Sequence, residues 1–148
     1  MKRRIIFILL IFPFLYGKVL IPQENVNHET LSIHGKVREY YILKKNTYIV
    51  SGPSIVSVYA RLAVPKNEKG KYSFSLISFL SDAPESIHNF SKKVDSSVTS
   101  SLHPMHRYTK FGKAEIKIPE GKFILSIENP SQIGTPILTR LIQKRDKR

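Results

Sequence analysis

The chain has 148 residues, enough for one domain and short for two. Its composition, 41% hydrophobic and 24% charged with abundant Val, Ile, Tyr and Phe, excludes a disordered chain and favours pleated structure. The absence of cysteine excludes a disulfide scaffold, a thiol nucleophile, a Cys-ligated zinc and a lipid-modified cysteine, while a net charge of +13 favours anionic partners.

Residues 1–17, MKRRIIFILLIFPFLYG, open with three positive charges at Lys2, Arg3 and Arg4. Twelve residues broken only by Pro13 follow, and then the small residue Gly17. This is the tripartite pattern of a secretory signal peptide, and the apolar run is shorter than the ~20 residues of a spanning helix. The expectation is export to the periplasm or the exterior, with no stable membrane span after cleavage. The fold then lies in residues 18–143, ahead of a basic tail at 144–148.

Strand signals dominate the remainder. Short strands are expected at 39–43 and 48–51, separated by Lys44, Lys45 and Asn46. Gly52-Pro53 punctuates the chain before a long alternating run at 54–64. There Val56, Val58, Ala60, Leu62 and Val64 share one face, and Ser57, Tyr59 and Arg61 the other. The hexapeptide PKNEKG at 65–70 reads as a loop between antiparallel neighbours. Residues 72–80 alternate again. Residues 82–110 are the least regular: 86–93 suits a strand or a short turn of helix, and 95–101 is Ser-rich. Two strands, 114–118 and 123–128, flank Pro119-Glu120-Gly121-Lys122 in the pattern of a tight hairpin. A last strand is expected at 137–142. About eight short strands joined by Gly/Pro turns predict an all-β fold, a two-sheet β-sandwich with jelly-roll or Greek-key wiring.

Two stretches carry a resemblance. The run KAEIKIPEGKFILSI at 113–127 resembles the closing hairpin of galactose-binding-like and carbohydrate-binding jelly rolls. Residues 41–62, with Gly52-Pro53 before a long strand, are similar to a mid-domain hairpin of exported β-sandwich modules. The resemblance implies a non-catalytic module that binds sugar or protein beside other exported components.

Tests for chemistry return little. His103 and His106 come closest to a metal pair. Two histidines three apart supply one short loop, whereas zinc takes three or four ligands, and Arg107 lies beside them. They read as a solvated loop, and no metal or cofactor is expected. Glu115 and Glu128 read as surface carboxylates rather than a glycosidase pair. No Gly-x-Ser-x-Gly elbow and no Gly-rich phosphate loop occurs, so no catalytic residue is assigned. The residues with binding character are Tyr59 and Arg61, with Tyr40 or Tyr41 on the strand before, on outward strand faces, and the basic-aromatic cluster of Arg107, Tyr108 and Lys110. The leading expectation is an exported, non-enzymatic module contacting a protein or polysaccharide of the cell envelope, with anionic partners favoured and nucleic acid set aside by export. The alternative is a carbohydrate-binding module using an exposed Tyr/Arg sheet face.

Overall fold

The computed structural model describes residues 17–131 and 136–146, so the signal-peptide reading falls outside the described residues except at Gly17. Ten strands follow one another: β1 (Lys18–Leu20), β2 (His28–Ile33), β3 (Lys36–Ile42), β4 (Lys45–Pro65), β5 (Lys71–Leu80), β6 (Ser86–Asp95), β7 (Val98–Ser100), β8 (His106–Thr109), β9 (Gly112–Glu128) and β10 (Ile137–Arg145). The all-β expectation holds, and 86–93 is strand rather than helix. β10 runs on through Lys144 and Arg145, two of the residues read as tail. Among the described residues no helix is long and apolar enough to cross a membrane.

The two-sheet sandwich is corrected. All ten strands belong to one antiparallel hydrogen-bonded network, ordered β7-β2-β3-β10-β4-β8-β6-β5-β9, with β1 added on β10. A further pairing of β9 with β4 closes the five-strand ring β4-β8-β6-β5-β9. The cause is the length of β4. At 21 residues and ~3.3 Å per residue, it takes β9 along residues 45–60, β10 along 54–62 and β8 at 63–65. One strand therefore joins what two sheets were expected to divide. β5 pairs with β6 and β9 rather than with β4, so the 65–70 loop does not connect paired neighbours.

Neither the break expected at Gly52-Pro53 nor the hairpin turn expected at 119–122 interrupts its strand. They face each other across the β4/β9 ladder, where Gly52 pairs with Gly121 and Ser54 with Ile118. β9 spends one more residue than β4 between those pairs, which makes a β-bulge. The extra residue explains the sequence pattern. Ala114, Ile116 and Ile118 turn inward at even positions, and Phe123, Leu125 and Ile127 at odd ones. β4 keeps its parity, with Tyr48, Val50, Val56, Val58, Ala60, Leu62 and Val64 all in the core. Without the bulge, one half of β9 would present its apolar set to solvent. Each such side chain is worth roughly 1.5–3 kcal/mol when buried, so the bulge is held in place by the core. Gly52 is required by proximity: a Cβ there would lie 1.8 Å from the carbonyl oxygen of Pro119.

The expectation of a half-buried 54–64 strand is also corrected. A second, smaller core covers the opposite face of β4, built from Leu31, Tyr40, Ala63, Val98, Tyr108 and Leu138, with Ile33, Ile42 and Tyr59 packed on it. β2 and β3 reach it as a hairpin closed by His34 and Gly35, both at positive φ (49° and 78°), the conformation of a two-residue primed turn. The functional side chains lie on this second face.

Candidate functional site

Period two puts Lys36, Arg38 and Tyr40 on one face of β3. The same rule puts Tyr59 and Arg61 together on β4, and Arg140 and Ile142 on β10. The sheet order brings β3, β10 and β4 side by side, and these side chains, with Ile33 of β2 and Phe111 before β9, line a shallow cleft of about 210 Å³.

Arg61 lies beneath it rather than on the surface. It is 4% exposed, its Nε donates to the Tyr40 hydroxyl (3.2 Å), and its NH1 donates to the Thr109 carbonyl (3.0 Å). The guanidinium carbon sits 5.8 Å from the Tyr40 ring centroid and 5.6 Å from that of Phe111. The outward-facing placement of Arg61 is thus corrected: the second core covers that face, and the guanidinium cements the floor of the cleft. Its charge also acts on Asp95. Burial pushes the Asp95 carboxyl up, but hydrogen bonds from Ser97 and the charges of Arg61 and His34 outweigh it and leave it below the usual range.

Tyr59 is half-buried at the cleft, edge-on to Phe111 at 5.2 Å, with the Lys113 ammonium 5.7 Å from its ring. Tyr41 does not join them. It faces the other side of β3, 6.0 Å from the His28 ring, and its phenol is pushed up by burial and by the charge of Glu39. Of the two alternatives, Tyr40 is the one beside Arg61. Lys36 and Arg38 are exposed at the cleft edge, and the Nε of Arg140 is buried without a hydrogen-bond partner. The lining therefore combines an aromatic and aliphatic body with three cationic side chains around a fixed guanidinium.

Arg107 and Tyr108 are not in this cleft. Arg107 donates from NH1 to the carbonyls of Pro104 (3.2 Å) and His106 (2.8 Å), which turns its charge onto loop backbone. Tyr108 is fully buried in the second core, and its hydroxyl donates to Glu29 Oε2 at 2.9 Å. Burial first, and then that bond to a carboxylate, hold the phenol well above its ordinary range.

Glu29 leads to a second cluster. His103 Nε2 lies 2.8 Å from Glu29 Oε1, and the His103 and His106 rings stack at 4.9 Å and 16°. The solvated-loop reading of the two histidines is corrected: the loop docks on a carboxylate that is 4% exposed, and the Nδ1 of His106 is buried without a hydrogen-bond partner. Among the described residues Glu29, His103 and His106 form the group whose donor atoms could hold a metal.

Sequence reasoning missed Glu29, Phe111, Lys36, Arg38 and Arg140, and it left Tyr40 and Tyr41 as alternatives. The alternation of Lys36, Arg38 and Tyr40 was available as a signal once 36–42 is read as one strand. Nothing local marks Glu29, whose partners lie more than seventy residues away.

No family model matches the chain, and no curated protein matches it. Among solved structures the chain is similar to an exo-beta-1,3-galactanase from Phanerochaete chrysosporium, solved with galactose, at 10% identity and a TM-score of 0.41. The match covers 86% of this chain and 29% of that one. It is a weak likeness of β architecture to a carbohydrate-active protein.

Proposed function

We propose that the domain is an exported, non-catalytic binding module that takes an anionic group on an apolar body in the cleft, the unit of an acidic envelope polysaccharide being the ligand that fits best. The observation that carries this is the pairing of cations with rings in one concavity. Lys36, Arg38 and Arg140 surround Tyr59 and Phe111. Aromatic faces stack on the apolar side of a sugar ring, and guanidinium groups bind carboxylates through directed, charge-assisted hydrogen bonds. A cleft of about 210 Å³ suits one such unit. The +10 that remains of the +13 net charge without Lys2, Arg3 and Arg4 would raise the local concentration of a polyanion. Polygalacturonate, titrated calorimetrically at low and high salt, tests the reading. Binding should weaken with salt and disappear in a Lys36→Ala/Arg38→Ala double variant that keeps its strand spectrum. Unaltered binding in that variant, or indifference to acidic glycans, counts against it.

A protein partner is the second reading. Ile49 and Ile124 are cross-strand neighbours in the β4/β9 ladder, and they stay 62% and 50% exposed. Adjacent exposed isoleucines suit a contact with another envelope protein.

A further inference from the structure

We propose that Glu29, His103 and His106 bind a divalent transition-metal ion, zinc fitting the donor set best, at a site separate from the basic cleft. Two imidazoles and one carboxylate are a sufficient set for zinc when a fourth position is left to water or a ligand. One ligand atom from each residue lies within 4.8 Å of the others. Donors around zinc stand about 3.4 Å apart when each bond is ~2.1 Å. Closing the set thus asks for at most about 1.4 Å of movement, with His103 on an exposed loop.

The site has the marks of a built one. Glu29 is carried by β2, where it pairs with Tyr40 of β3, and β7 pairs with the following residues 31–33. Its Oε2 accepts from the Tyr108 hydroxyl at 2.9 Å, so Oε1 is directed to His103. A ligating carboxylate oriented by a buried hydroxyl is the usual arrangement at metal sites. The Nδ1 of His106 is buried with no hydrogen-bond partner, an unusual state for an imidazole nitrogen. Arg107, the nearest cation in sequence, has NH1 engaged by the carbonyls of Pro104 and His106. His106 also lines a concavity of about 420 Å³ between the 65–70 loop and Met105. Bound metal would pin the 101–105 loop, between β7 and β8, to β2.

Cobalt(II) titrated into EDTA-treated, dialysed protein and followed by visible absorption reads the geometry directly. One equivalent should produce the intense bands of a four- or five-coordinate ion, and zinc should bleach them. His103→Ala and His106→Ala should each abolish the bands. Tyr108→Phe should weaken cobalt affinity about tenfold by freeing the carboxylate. His103 is exposed on a loop, so its variant is expected to fold, and a strand spectrum equal to that of the parent checks this. A spectrum that stays that of hexa-aquo cobalt throughout would overturn the proposal and leave a plain His103–Glu29 ion pair. Bands that persist in the His103→Ala/His106→Ala double variant would overturn it as well.

Discussion

Replacing Gly52 by Ala tests the main feature of the architecture, the aligned break in β4 and β9. An ideal Cβ at Gly52 falls 1.8 Å from the Pro119 oxygen and 2.4 Å from that of Ile118. Ordinary contact begins near 3.4 Å, so β9 would have to retreat by roughly 1.5 Å. The obstacle is backbone that the flanking pairs Ser51–Lys122 and Ser54–Ile118 hold in place, so no side chain can swing aside. Overpacking of this kind costs about 1–3 kcal/mol, and each ladder hydrogen bond broken in relief adds about 1 kcal/mol. The expected loss is about 3 kcal/mol, or a fall in Tm of about 10 °C for a domain of this size. Gly35→Ala is the control. Its Cβ meets nothing within 4 Å, and only its φ of +78° is unfavourable to alanine, at about 1 kcal/mol. Urea denaturation of both variants, followed by the far-ultraviolet strand signal, makes the comparison. Should Gly52→Ala cost no more than Gly35→Ala, residues 119–122 turn away from β4 as a free hairpin, and the bulge is refuted.

Two further outcomes concern Arg61 on the second face and His88 on β6. Arg61→Lys should cost about 2 kcal/mol, because an ammonium cannot reach the Tyr40 hydroxyl and the Thr109 carbonyl with the geometry of the guanidinium; a loss below about 0.5 kcal/mol in urea denaturation would show that those bonds are not structural. Burial lowers the His88 pKa from the ordinary 6.5, and its Nε2 lies 2.9 Å from the Ser78 hydroxyl. The fold therefore favours the neutral ring. Its contribution to stability is complete above the unfolded value of 6.5 and is lost as pH falls through the folded value. Denaturation midpoints should drop from pH 7.5 to pH 5 by more in the parent than in His88→Gln, and equal drops would remove His88 as the cause.

What the sequence disclosed and what it hid divide along a physical line. Alternation is local, so the inward sets of β4, β5 and β9 were legible, including the change of parity after Ile118. Its meaning was not. A one-residue offset around Pro-x-Gly suits a hairpin as well as a bulge, and the choice depends on Gly52 lying opposite Gly121, a pairing across almost seventy residues. Tyr40 and Tyr41 show the same limit at the site. Period two says that they point apart, but only the position of β3 beside β10 decides which of them meets Arg61.

Arg61 and Glu29 reflect a single cause. Both are charged residues in strands, and both are buried where the second core closes over the reverse face of β4. Burying a charge without partners costs several kcal/mol, so each must be paired where it lies. Arg61 is satisfied by a hydroxyl, a carbonyl and two rings, a set complete without any ligand. Glu29 has Tyr108 on one oxygen and a half-exposed histidine on the other, with His106 in the same cluster. The first is a finished structural device whose exposed neighbours, Lys36 and Arg38, remain to meet a ligand. The second is the donor set that the proposed metal ion would complete, and for that reason the two ends of one sheet face are assigned different work.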